Sequence, residues 1–196
     1  MLMSENDAKL SKSQRTRKTI FESAGKLFAN HGYDGTSVRD IAADAAIDPA
    51  LVIRYFGSKD ALFAEVSDFR LNMPPVNSSM RSIAGPLLAQ KFLEIWEGPE
   101  AGGGFTVLLR SAASNEAAAN RLRDVFAKQV VPTISALAGP DKAEVRAGLV
   151  TSHMLGLALC RYILKPPPVA TMPPEVIVSQ VGKAVQAYLD AHPDSL

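Results

Sequence analysis

Residues 36–59 read TSVRDIAADAAIDPALVIRYFGSK, and this stretch decides the fold. Ser37 followed three residues later by Asp40 is a capping box of the Ser-x-x-acid type, so a helix starts at Val38. Val38, Ile41, Ala42 and Ala45 recur at helical spacing and form its inner face. Ala45-Ala46 makes a turn, and Ile47 plugs the space between this helix and the next. Asp48 is a good N-cap and Pro49 suits the first helical position, so a second helix begins at Pro49. Ser58 caps a further helix from Lys59. At about 100° per residue, Val52 and Phe56 point inward while Ala50, Leu51, Arg54 and Tyr55 fall on the opposite side. Two short helices joined by a tight turn, the second with an open outer face, are the layout of a helix-turn-helix, which offers its second helix to the major groove.

Arg54 is the side chain on that face able to make a bidentate contact, most naturally to guanine O6 and N7; a good one discriminates by ~1–3 kcal/mol. Pro49, at the tip of the helix, Ala50 and Leu51 offer only apolar contacts, such as to a thymine methyl. Tyr55 is placed to reach a phosphate. Thr36 and Ser37 stand at one helix N-terminus and Lys59 at another, where unpaired N–H groups and the helix dipole attract phosphate. Arg15, Arg17 and Lys18 open the first helix and reach toward flanking backbone.

The whole chain of 196 residues has a formal charge of only +1, so no global basic surface points to nucleic acid. Lys9 to Lys59, however, holds nine basic against five acidic residues, a local excess of four. The single cysteine, Cys160, excludes an intrachain disulfide and fits a reducing compartment. The polar start MLMSENDAKLSKSQRTRK has neither the apolar core of a signal peptide nor that of an anchor, and no uninterrupted apolar run reaches ~18 residues. A cytosolic protein with no membrane partner is expected.

Helical periodicity dominates the rest, with no alternating strand pattern, so the fold class is all-α with about nine helices. Ile20, Ala24, Leu27 and Phe28 share a face of the first helix, which Gly32 closes. The fourth is expected to run from Lys59 to about Asn72, ahead of a break at Met73-Pro74-Pro75. We divide the chain into a three-helix DNA-binding domain, residues 1–58, and a helical bundle, residues 59–196, which the fourth helix joins. Further helices are expected over Ser78–Trp96, Phe105–Ala113, Asn115–Leu137 with a Ser114 cap, Asp141–Leu164 and Glu175–Ala191. Pro132 should kink or divide its helix. Ala101-Gly102-Gly103-Gly104 reads as a loop, and Pro166 to Pro174 as a stiff connection.

His31, His153 and His192 are scattered, and no glycine-rich phosphate loop, metal-ligand spacing or nucleophile–base pair is present. Catalytic residues, bound metal and cofactors are therefore not expected. Gly148, Ser152, Gly156 and Cys160 repeat every four residues, a small-residue stripe that lets another helix approach closely, either in the same subunit or in a second copy.

The motif set Phe28, Gly32-Tyr33, Thr36-Ser37-Val38, Ile41-Ala42, Ala45 and Tyr55-Phe56-Gly57-Ser58-Lys59, followed by Leu62-Phe63, resembles the TetR/AcrR family of bacterial one-component transcription regulators. Leu108 to Ala112 and Asn115 to Ala117 look similar to an actinobacterial-type subgroup. Three positions depart from the family pattern. Ala46 replaces a glycine, and a positive φ there would strain alanine. Ile53 replaces a tyrosine that touches phosphate, and Leu51 replaces a polar residue. The resemblance implies a ligand-responsive regulator, in most such proteins a repressor, binding double-stranded DNA at a pseudo-palindromic operator as a homodimer. The dimer would form through the last two long helices, with Gly148, Ser152, Gly156, Cys160, Val181 and Val185 as interface candidates. It further implies an effector pocket in the bundle. Candidate lining residues are Met73, Phe92, Trp96, Phe105 and Phe126, with Arg110 and His153 as polar handles, which favours a small apolar or aromatic effector. The alternative is a small-molecule or protein-binding helical module with weak or lost DNA affinity, for which the neutral net charge, Leu51 and Ile53 speak.

Overall fold

The first four helices begin where the sequence supplies caps. The computed structural model describes residues 11–98 and 104–196. Residues 1–10 of the polar start, Lys9 among them, and residues 101–103 of the expected loop lie outside the described residues, while Gly104, expected in that loop, opens a helix. The chain is all-α among the described residues. Helix α1 spans Lys12–His31 behind a Ser11–Gln14 capping box and stops at Gly32, whose φ of 72° lets its N–H turn back to the Phe28 carbonyl. Helices α2 (Val38–Asp44), α3 (Pro49–Phe56) and α4 (Lys59–Val66) start behind Ser37, Asp48 and Ser58, each of which accepts a backbone N–H with its side chain.

Helix α4 is shorter than expected. Its end is closed by the Ser67 N–H bonding the Phe63 carbonyl at 2.8 Å. Phe69 then packs against Phe105, the rings tilted and their centroids 4.6 Å apart. Asn72 has a φ of 46°, which a continuing helix does not allow.

A 3₁₀ turn over Ser78–Ile83 leads into α5, Ala84–Glu97. The turn replaces the expected first α-helical turn because Pro86 has no N–H to return to Ser82. Helices α6 (Gly104–Ser111) and α7 (Glu116–Val125) follow, and α7 is capped by Asn115 rather than Ser114: the Ala118 N–H meets Asn115 Oδ1 at 2.9 Å. Pro132 does not divide the next helix. A π-helical segment at Phe126–Val130 carries the chain into α8, Val131–Ala138, the Val131 N–H bonding the Phe126 carbonyl five residues back. The wider turn absorbs the missing proline donor.

Helix α9, Ala143–Ala158, runs on as a π segment through Leu164. The one-turn α10, Pro167–Ala170, sits inside the expected proline linker. The last helix comprises α11 (Pro174–Val176), a π segment (Ile177–Val181) and α12 (Gly182–Asp190). Counted as continuous stretches, the described residues hold ten helices, the one beyond the expected nine being α10.

Packing divides the described chain into two compact units. The first holds residues 11–69 and 104–122. Its core joins Ile20, Ala24 and Phe28 of α1 to Ile41, Val52 and Leu62, and also to Val107, Leu108 and Ala118 from much later in the chain. Each fully buried large apolar side chain contributes roughly 1.5–3 kcal/mol. The second unit, residues 70–98 and 123–196, is built on Ala84, Ile134, Leu137, Ala147, Val150, Val185 and Leu189. There α5 and α12 meet backbone to backbone: a Cβ added to Gly85 would lie 2.1 Å from the Gly182 carbonyl oxygen. Gln186 locks the pair, accepting the Gly85 N–H at 2.8 Å and donating to the Arg81 carbonyl at 2.8 Å.

Arg81 and the buried Arg146 serve helix ends. Arg81 donates to the carbonyls of Leu189 and Ala138 at 2.9 and 3.3 Å. Arg146 donates to the carbonyls of Asp141 and, at 2.7 Å, Ala191. Cations there offset the negative ends of the α8 and α12 dipoles.

Candidate nucleic-acid interface

Helix α3 owes its orientation to Val52 and Phe56, which are 0 % and 8 % exposed and anchor it on the core of the first unit. Pro49, Ala50, Ile53 and Arg54 are thereby turned to solvent, while Leu51 and Tyr55 are half-buried. The turn before α3 is a Schellman motif. The Ile47 N–H bonds the Ala42 carbonyl at 3.0 Å and the Ala46 N–H bonds the Ala43 carbonyl at 3.2 Å. Ala46 therefore occupies the left-handed position, with a φ of 53°. The strain expected from replacing glycine is present.

The expected phosphate contacts meet specific obstacles. Thr36 is 2 % exposed, and its hydroxyl donates to the Gly32 carbonyl at 2.9 Å, so it closes the turn after α1 and faces no solvent. Ser37 is exposed, but its hydroxyl donates to the Asp40 carboxylate at 2.6 Å and accepts the Asp40 N–H at 3.1 Å. The hydroxyl first, and then the Ser37 backbone N–H, which also donates to this carboxylate at 2.8 Å, hold the Asp40 carboxyl below its usual range. Asp40 thus fills the anion position at this helix N-terminus and opposes a phosphate there.

Arg17 lies with its guanidinium carbon 4.6 Å from the Phe56 ring centroid and grips both Glu65 oxygens at 2.6 and 2.7 Å. Lys59 sits over the Tyr33 ring at 3.8 Å. Tyr33 in turn donates to Asp60, and burial followed by that carboxylate pushes its phenol up to about 12. Tyr55 bonds Ser13 of α1 at 3.1 Å, and Ser13 first, then Arg54, holds its phenol below the ordinary value. Arg54 extends beside that ring, its guanidinium carbon 5.3 Å from the centroid. Arg39, which sequence reasoning counted as charge and gave no role, is exposed on α2 and makes no ion pair among the described residues.

A family model described as "Bacterial regulatory proteins, tetR family" matches residues 20–66, the helices just described. A second, "Tetracyclin repressor-like, C-terminal domain", matches residues 83–189, more than half of the chain. The chain belongs to the TetR family. Relatives within it are similar over the head of this TetR-family chain. An HTH-type transcriptional repressor of Mycobacterium tuberculosis is 47% identical over 49 residues, 25% of this chain and 26% of the relative. An HTH-type transcriptional repressor of Streptomyces coelicolor is 38% identical over 58 residues, 30% of each. The chain thus spans about a quarter to a third of the length of these curated relatives. Among solved structures, a TetR-like transcriptional regulator from Rhodococcus superposes with a TM-score of 0.62 at 19% identity, over 92% of this chain and 96% of that one. A TetR-family regulator from Streptomyces coelicolor does so at 0.58 and 21%, over 93% and 99%. These likenesses show the TetR-type fold over nearly the whole length.

The residues expected to line an effector pocket of this TetR-family chain are distributed over both units. Phe105 and Arg110 belong to the first, and Arg110 Nε is buried without a hydrogen-bond partner. Met73, Phe92, Trp96, Phe126 and His153 belong to the second. Phe92 and Trp96 gather around Tyr162, which sequence reasoning missed; Trp96 and Tyr162 stack with centroids 4.6 Å apart. Tyr162 donates to Glu97 at 2.8 Å, and burial, then this carboxylate, raises its phenol. Arg161 binds the same Glu97 oxygen at 2.8 Å and the carbonyls of Val169 and Met172 at 2.9 and 2.7 Å, tying down the proline-rich segment. Phe126 packs on the bundle core, and His153 Nδ1 lies 3.3 Å from the Tyr188 hydroxyl.

Of the expected dimer residues, Val185 is fully buried in its own subunit and has no surface for a partner, because the face it shares with Leu189 closes on α5 and α8. Val181 is half-buried on that core. Ser152 and Gly156 are exposed, and Gly148 and Cys160 are half-buried. Around Gly148 and Gly156 nothing lies within 4 Å of an added Cβ. The stripe is not used for close packing within the subunit.

Proposed function

We propose that this chain is a sequence-specific, DNA-binding transcriptional regulator acting in the cytoplasm as a ligand-responsive repressor, with residues 1–58 as the DNA-binding domain and residues 59–196 as the regulatory and dimerisation domain. The observation that carries the proposal is α3: anchored by Val52 and Phe56, it turns a solvent-exposed Arg54 outward from a Schellman-turned helix pair. The printed names of its mycobacterial and Streptomyces relatives as repressors support the direction of control. In this reading Arg54 reads guanine, Pro49, Ala50 and Leu51 approach neighbouring base edges, and Lys59 and Tyr55 approach phosphates, while Ser37 reaches one only on leaving Asp40. Arg17 joins them only on leaving Glu65. No kinase-like, hydrolytic or redox step is assigned to the chain.

A homodimer is supported by the apolar run Ala143–Leu164, most of whose residues are not buried within one subunit. Val145, Leu149 and Leu159 stand 43%, 37% and 41% exposed along it, near the open Gly148 and Gly156. A second copy laid on this face would bury it and set two α3 helices at half-sites roughly 34–36 Å apart, or wider on deformed DNA. A small apolar or aromatic effector near Phe92 and Trp96 would act by binding better to a dimer whose α3 spacing does not fit the operator.

The test is binding to DNA from the chain's own promoter region. Arg54→Ala should relax preference at one base position, whereas Lys59→Ala should weaken all sequences about equally. If neither change alters binding to an identified operator, the assignment of the interface is wrong.

A further inference from the structure

We infer that each operator half-site sets thymine C5-methyl groups against Ile53 and Ala50, next to the guanine read by Arg54. This deepens the proposed function and rests on α3 lying in the major groove. On a helix, positions i, i+1, i+4 and i+5 lie on one side, so Pro49, Ala50, Ile53 and Arg54 form one strip. All four are exposed, Ile53 at 45%. Three of the four carry no side-chain donor or acceptor. The strip therefore has one hydrogen-bonding head, at its C-terminal end, and an apolar patch ahead of it.

That asymmetry limits what the neighbouring base pairs can be. A cytosine amino group or a guanine O6 pressed against Ile53 would lose its water and gain no partner, which costs affinity. Adenine recognition needs an Asn or Gln fork, and cytosine recognition a carboxylate; the strip has neither. Thymine alone presents an apolar group, its C5-methyl, on the major-groove edge. The half-site is therefore a guanine flanked by A·T pairs, oriented so that the methyls face Ile53 and Ala50. Ile53 acts as a specificity-determining residue through shape and dryness, with no hydrogen bond of its own.

The experiment starts with the full-length protein and an operator selected from a random duplex library. Each thymine is then replaced in turn by deoxyuridine, which removes one methyl and leaves base pairing intact. Burying one methyl is worth about fourfold in affinity, so at least one thymine per half-site, adjacent to the Arg54-dependent guanine, should show a loss of about that size. Ile53→Ala, a change at an exposed side chain that leaves the core untouched, should bring the thymine-to-uracil ratio at that position close to one, and Ile53→Val should retain most of it. An operator bound equally well with uracil at every position overturns the inference and leaves the DNA-binding function standing. A ratio unmoved by Ile53→Ala overturns the assignment to Ile53. If the library yields no retained sequence at low salt, the inference and the proposed function fall together.

Discussion

Replacing Ala46 by glycine should stabilise the protein, although alanine-to-glycine changes in and around helices usually do the opposite. Ala46 holds a φ of 53° at the left-handed position of the turn between α2 and α3. For an L-residue that conformation costs roughly 1–2 kcal/mol, which glycine does not incur. Glycine widens the unfolded ensemble, at about 0.4–1 kcal/mol. Ala46 is exposed, so loss of its methyl forfeits little packing. The balance is a gain of about 1 kcal/mol, or a rise in Tm of ~2–4 °C for a chain of this size. Ala43 supplies the internal control: three residues earlier, exposed and inside α2, its change to glycine should cost about 1 kcal/mol. Paired urea and thermal unfolding of the two variants, followed by circular dichroism, measures both. If Ala46→Gly lowers the midpoint as Ala43→Gly does, the strain at this turn is not real.

Glu65→Gln should release Arg17 for DNA. A salt titration of operator binding by fluorescence anisotropy should show tighter binding at low salt and a slope of log K against log salt steeper by about 0.9; an unchanged slope means Arg17 does not reach phosphate. Gly85→Ala should cost about 2–3 kcal/mol or prevent folding, since its Cβ would fall 2.1 Å from a backbone oxygen, whereas a denaturation midpoint within experimental error of wild type would contradict the close approach of α5 and α12. The carboxyls of Asp40 and Asp44 lie below their ordinary value of 3.8, held first by Ser37 and by Lys26 respectively. A folded-state value below the unfolded one stabilises above about pH 4, and this is lost as pH falls through the folded-state value. Tm should therefore fall between pH 5 and 3, less steeply in Asp40→Asn, and equal slopes would contradict it.

What could be foreseen in the sequence was local. Ser37 with Asp40, Asp48 before Pro49, Ser58 before Lys59 and Gly32 are signals in which the deciding residues lie within a few positions of each other, and each acts as expected. The strain at Ala46 belongs to the same class. What could not be foreseen depends on partners distant along the chain. Arg17 looked like a free cation because Glu65 is 48 residues away. Tyr33 is tied through its backbone N–H to Ser111, 78 residues on, which draws α6 into a core that local patterning assigned to the first helices alone. Val185, a dimer-interface candidate by the family resemblance, lies instead at the centre of its own bundle, because which side of the last helix meets α5 and α8 depends on helices far away in the chain.

The contact between Gly85 and Gly182 has a mechanical consequence. Most helix pairs slide or roll because side chains between them can change rotamer. Here backbone touches backbone, and Gln186 pins the crossing point from both directions. With no deformable layer between them, α5 and α12 must travel as one rigid block. A displacement of either helix at this crossing therefore displaces the other, because sliding would drive the Gly85 and Gly182 backbones into each other or break both Gln186 bonds.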